Sequence, residues 1–281
     1  MIVATWSAIF LAALTCLWFE ARLLSLFLLL AGYAAALVSG QLAPVGTIGL
    51  LLLLLAAWAA LQPQRRWQWS GHALFIALAL ALNLHWLPGF HNLRVIDAVH
   101  FTSEAVPFSM YLNLDKPLTG FWLLLCLPWI RAPHNLRRTL AATALCALLT
   151  STLCMGMAWC LGLLTWAPKM PAQTGLWLLN NLLLVSFAEE AFFRGYLQGG
   201  IRRLLDSSKL ADTLSIGIAS TLFGLAHAGG GWRLALVASA AGAGYGLAYR
   251  WGGLRAAVLT HVAVNGVHFL LFTYPLLQGL R

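Results

Sequence analysis

Charge is scarce in this chain. Only 9% of its 281 residues are Asp, Glu, Lys or Arg, against roughly 25% in an ordinary soluble domain. Acidic residues number 8 against 17 basic ones, a net charge of +9, and 61% of the residues are apolar. Mean hydropathy is +0.81. A globule of this composition has too little polar surface to cover itself in water, so the composition predicts an integral membrane protein. Cysteine is sparse and unpatterned. Cys16, Cys126, Cys146, Cys154 and Cys160 form no CxxC and are odd in number, which argues against a disulfide framework and a thiolate metal site. They read as small buried hydrophobes. No Gly-rich phosphate loop is present, because the glycines at 229–231 lack the following Lys-Ser/Thr. HExxH is also missing. No basic stretch precedes the apolar run 2–19, so that run is expected to be a retained span and not a signal peptide.

Long Leu/Ala-rich runs fill the rest. They lack the short alternating pattern of a membrane barrel, so the fold class predicted is all-α: a polytopic helical bundle in one membrane domain, 1–281. About 20 residues cross the hydrocarbon core. Candidate spans are 2–19, 23–39, 45–61, 71–88, 118–130, 139–164, 174–197, 213–228, 234–249 and 256–276. The segments 118–130 and 213–228 are short, so eight to ten spans are expected. Residues 88–117 form the one long polar connection and are read as a loop with a short surface helix. The segment 198–212, QGGIRRLLDSSKLAD, is read as an amphipathic helix at the interface. Alternating small residues Ala240, Gly242, Gly244 and Gly246 are expected to permit close helix packing.

Basic residues test the topology. With ten spans and an outer N-terminus, Arg22, Arg65, Arg66, Arg131, Arg137, Arg138, Arg202, Arg203, Lys209, Arg250 and Arg255 fall inside. Arg94, Lys116, Lys169, Arg233 and Arg281 fall outside. The positive-inside rule favours that orientation. It also accounts for the net charge better than nucleic-acid binding does.

The informative residues are the ionisable ones inside apolar runs, since a charge in lipid is costly and usually faces the bundle interior. Glu189, Glu190 and Arg194 share one span, His227 ends another, and His261 and Asn265 share a third, with His268 beyond. The first four candidate spans hold only scattered polar groups such as His72, Asn83 and His85. Glu190 and Arg194, four apart, occupy one helix face and suit a buried pair. Glu189 points about 100° away and is left to act as a general base. His227 suits sharing or orienting the same water. His261 and Asn265, also one turn apart, suit an oxyanion hole. Such a kit hydrolyses an acyl bond such as a peptide bond.

These strings resemble the CAAX protease and bacteriocin-processing family, glutamic-type intramembrane endopeptidases related to the Ras-converting CAAX prenyl endopeptidase. Three motifs carry the resemblance: EEAFFR from Glu189 to Arg194, FGLAH from Phe223 to His227, and HVAVN from His261 to Asn265. It covers 174–268, leaving 1–173 as variable N-terminal spans. The resemblance implies that Glu189 and His227 activate water and that His261 and Asn265 form the oxyanion hole. It makes Glu190 and Arg194 organisers of the site, and Phe223 a residue that lines or supports the cavity. It further implies a metal-free mechanism, a membrane-associated or lipid-adjacent protein substrate, and a site within the membrane that opens toward the cytoplasm. Short loops suggest a bacterial inner-membrane enzyme. On the expected spans Glu189 lies about 12 Å and His261 about 8 Å from the cytoplasmic end, but His227 about 20 Å. Two alternatives stay open: a zinc enzyme using Glu189, His227 and His261, with water as fourth ligand, and a non-catalytic membrane scaffold that holds a partner helix. A transporter lacks support, since no paired, Gly/Pro-interrupted segments recur in the two halves.

Overall fold

The computed structural model describes residues 1–130, 135–206 and 208–279. Arg131 and Arg281, used above to orient the chain, lie outside the described residues. Nine helical segments and one β-hairpin follow in order among them. They are α1 (Ile2–Phe19), α2 (Arg22–Val38), α3 (Thr47–Ala60), α4 (Arg65–Asn83), β1 (Leu93–Val99), β2 (Phe108–Leu112), α5 (Pro117–Cys126), α6 (Leu136–Cys160), α7 (Thr174–Leu204), α8 (Ala211–Ala226) and α9 (Trp232–Leu271). Four of them, α1, α6, α7 and α9, are long and apolar enough to cross a membrane. The protein is a multi-spanning helical membrane protein. Its outer surface carries large apolar side chains such as Leu23, Phe27, Leu148 and Leu153, which water would penalise and lipid accepts.

The chain forms two compact units. One comprises 1–94, 111–128 and 183–188; the other comprises 95–110, 129–182 and 189–281. In the first, Phe75 of α4 stacks on Trp122 of α5 at 3.9 Å, and the Trp122 indole donates to the Leu53 carbonyl of α3 at 2.9 Å. Gly71 lies against the α3 backbone at Ala60, where a β-carbon would sit 2.3 Å from the Ala60 nitrogen. The second unit packs Cys154 and Met155 of α6 against Phe223 of α8 and Val237, Tyr245 and Val264 of α9. Small residues let those helices approach, as their spacing predicts. A β-carbon on Gly244 would lie 1.9 Å from Thr150 Oγ1, and one on Gly246 would lie 2.8 Å from Gln198 Oε1.

Three expectations need correction. Residues 88–117 contain a two-stranded hairpin and no surface helix. Ile96 and Met110, one from each strand, are buried against Trp177 and Phe269, so tertiary packing selects the extended form. Residues 198–212 do not form a separate interfacial helix, because α7 continues to Leu204. Arg202 near its end donates to Asp212 at 2.7 Å, and Arg250 donates to the same carboxylate at 2.8 Å. Cys160 is exposed and Cys126 half-buried, while Cys16, Cys146 and Cys154 are buried as expected. The expected spans 234–249 and 256–276 correspond to the two arms of α9, which is broken at Gly253 with φ 78° and ψ −172°.

Candidate active site

Three helical segments of the second unit bring the polar residues together. Glu189 and Glu190 end a short α-helical stretch, Ser186–Glu190, between π-helical stretches at Asn181–Val185 and Ala191–Gln198. Departures of this kind inside α-helices are frequent at functional sites. Glu190 and Arg194 face each other as their spacing requires. Arg194 Nε donates to Glu190 Oε2 at 3.0 Å, with both side chains fully buried. The guanidinium is wrapped by rings, its Cζ lying 5.2 Å from the centre of Phe223 and 5.9 Å from those of Phe193 and Tyr245. Its two Nη atoms have no hydrogen-bond acceptor among the described residues. The aromatic faces supply the negative potential instead.

The other oxygen of Glu190 takes His261. His261 Nδ1 lies 2.8 Å from Glu190 Oε1, and its Nε2 lies 4.0 Å from Glu189 Oε2. A chain therefore runs Arg194–Glu190–His261, with Glu189 across the imidazole. Spacing alone does not reveal the Glu190–His261 link, because 71 residues separate the two. As a carboxylate holding Arg194, Glu190 acts only as an acceptor. His261 Nδ1 consequently carries a proton. Tyr245 stacks on the His261 ring, 4.4 Å away and tilted by 13°. Sequence reasoning missed Tyr245, a lone tyrosine among small residues.

His227 follows the last residue of α8. Its Nδ1 lies 2.8 Å from the Phe223 carbonyl. A carbonyl only accepts, so Nδ1 carries the proton and the neutral ring has its lone pair on Nε2. Phe223 is the common neighbour: its ring centre lies 4.6 Å from that of His227, 5.8 Å from His261 and 5.1 Å from Phe193. Asn265 is half-buried and donates from Nδ2 to Asn181 Oδ1 at 3.1 Å. Asn181 is the second residue that sequence reasoning passed over. Its one signal is the Asn180–Asn181 pair in an otherwise apolar run. His268 stands apart from this set, with Nε2 3.1 Å from the Thr273 carbonyl.

The segment 171–267, which holds every one of these site residues, matches the family described as Type II CAAX prenyl endopeptidase Rce1-like. The likeness to this family is carried by that segment. No match is found among curated proteins or solved structures. In this Rce1-like segment the three motifs converge around Phe223 and the Glu190–His261 bond. Among the described residues no three His, Cys, Asp or Glu side chains form a metal-ligating group.

Helix lengths set Glu189 and His227 at similar distances from one paired level. Arg202 and Asp212 are paired and so lie at one level. Counted from them, Glu189 is about 20 Å along α7 and His227 about 22 Å along α8. The extension of α7 to Leu204 makes the two distances agree.

Proposed function

We propose that the protein is an intramembrane endopeptidase that hydrolyses a peptide bond of a membrane-associated protein by water addition. In this reading 174–268 form the catalytic core and 1–173 supply supporting spans. Glu189 and His227 draw the proton from water as its oxygen attacks the scissile carbonyl carbon. His261 and Asn265 donate to the oxygen that becomes negative. When the C–N bond breaks, the proton passes to the departing amine. The carboxylate cannot stabilise an oxyanion, and the asparagine cannot serve as a base, so chemical type sorts the roles.

The observation that carries the reading is the buried Arg194–Glu190–His261 chain. Glu190 holds Nδ1–H of His261 and so turns Nε2 toward Glu189. His261 offers Nε2–H to an oxyanion when that nitrogen also carries a proton. His227 supports the complementary role, because the Phe223 carbonyl leaves its Nε2 as a proton acceptor. An apolar groove of about 430 Å³ borders the Asn265 helix, lined by Leu178, Leu259, Val262, Ala263, Gly266 and Val267. Its lining suits a lipid-adjacent substrate. The positive-inside rule assigns the Arg202–Arg250 end to the cytoplasm, and short loops suit a bacterial inner membrane. The reaction as proposed uses no metal and no cofactor.

The test compares protein termini in membranes from cells that carry the wild type, no protein, or the Glu189→Ala variant. The expected result is a set of new termini present with the wild type alone. Identical termini with Glu189→Ala and wild type overturn the reading.

A further inference from the structure

We propose that Asn181 is a positioning residue that fixes which way the Asn265 carboxamide faces. Its catalytic consequence rests on the protease reading above. None of the three motifs contains Asn181.

The direction of the hydrogen bonds carries the argument. The two ends of a carboxamide differ in chemistry, and only the surrounding groups decide which end points where. The Trp177 carbonyl can only accept. Asn181 must therefore turn Nδ2 toward it, and the two lie 3.1 Å apart. Asn181 Oδ1 then faces the opposite way and can only accept in turn. Asn265 lies 3.1 Å from that oxygen and must present Nδ2 to it. One N–H of Asn265 is thereby spent on Asn181. The second is uncommitted among the described residues and available to an acceptor in the site. Without Asn181, rotation by 180° would present the Asn265 oxygen instead, which repels an oxyanion.

The anchor is rigid at its far end. Trp177 is buried, its ring stacks on Phe269 at 4.3 Å and 6°, and its indole donates to Tyr274 Oη at 3.2 Å. Trp177 and Asn181 are one turn apart on α7, as are Asn265 and Phe269 on α9. The two helices are thus tied at two successive levels: Asn181 to Asn265, and Trp177 to Phe269. Asn181 also opens the π-helical stretch Asn181–Val185, where its side chain bonds the carbonyl four residues back.

The test reads the Asn265 side chain directly. Protein labelled with ¹⁵N-asparagine in micelles gives side-chain amide signals, of which Asn265→Ala removes one pair. Asn181→Leu should shift that pair upfield, as expected on losing a hydrogen bond. Asn181→Asp should keep it at a pH low enough to protonate the introduced carboxyl, since the neutral group offers the same acceptor and donor. Unmoved Asn265 signals in Asn181→Leu overturn the proposal. If that variant does not fold, Asn181→Ala is read on the same signals with the same criterion. The second arm measures cleavage of a peptide spanning the Glu189-dependent site. Asn181→Leu should lower kcat roughly 10- to 100-fold, leave KM within about twofold, and cause no further loss in an Asn265→Ala background. Equal fold-losses in both backgrounds overturn the positioning role. Cleavage by Glu189→Gln at the wild-type rate defeats the protease reading instead, while the amide signals still decide the role of Asn181.

Discussion

Tyr245 and His261 stack face to face at 4.4 Å although sixteen residues separate them within one helical segment. An unbroken helix would hold them about 24 Å apart. The segment therefore folds back on itself around Gly253, and α9 is a hairpin of two antiparallel arms. The turn brings Tyr245 from the first arm against the catalytic candidate on the second. It also lets Ala248 and Ala256, one from each arm, share a small core with Ala142 and Cys146 of α6.

Gly253 is the first residue to test. Its φ of 78° with ψ of −172° is a conformation essentially confined to glycine. Gly253→Ala is expected to cost about 1–3 kcal/mol, read as a lower thermal unfolding midpoint in detergent. Gly217→Ala is the control, because a β-carbon there meets nothing within 4 Å. Equal midpoints for the two variants would remove the strain argument.

Arg194 should matter more for folding than a surface arginine. Its removal leaves Glu190 as an uncompensated buried charge, a loss of about 3–5 kcal/mol. Arg194→Met is expected to lower both folded yield and activity. Adding Glu190→Gln should recover part of the stability and none of the activity, because His261 has then lost its ionised partner. Unfolding midpoints of the single and double variants, beside cleavage rates, check this.

Within the proposed mechanism the two sides of the site fail differently. Glu189→Gln is expected to be close to inactive while folding normally and still binding substrate. Asn265→Ala should retain a weak rate, since losing one oxyanion donor costs about 3 kcal/mol, or 10²–10³ in rate. Asn265→Asp should be worse than Asn265→Ala, because a carboxylate there opposes the oxyanion. Cleavage assays in liposomes across pH 5–9, beside a binding assay, separate these outcomes. Near-wild-type cleavage by Glu189→Gln would falsify its role as base.

Chelation addresses the zinc alternative. Activity is expected to survive dialysis against a strong chelator. In the structure His261 Nδ1 is held by Glu190 and His227 Nδ1 by a backbone carbonyl, so each ring has only Nε2 left to offer. Stoichiometric zinc whose removal abolishes activity and whose return restores it would establish a metalloprotease.

Much of this architecture is legible in the sequence because lipid imposes simple rules. Long apolar runs have to be helices, buried charges have to find partners, and small residues have to mark close approaches. Those rules lead to the candidate spans, to the Glu190–Arg194 pair four residues apart, and to the packing of Gly242, Gly244 and Gly246. They do not reach the hairpin at 93–112, whose extended form depends on Trp177 and Phe269, far away in the chain. Nor do they give the end of α7, because the sequence after Gln198 suits an interfacial helix as well as a continued one. Local spacing carries information over one or two turns and no further. The link from Glu190 to His261, the stacking of Tyr245 and the bond from Asn265 to Asn181 span 16 to 84 residues. The sequence by itself determined which ionisable side chains the apolar runs carry. Which of those groups donate and which accept was decided only when the helices met, since a proton's place on a histidine or an amide's orientation depends on the partner that faces it.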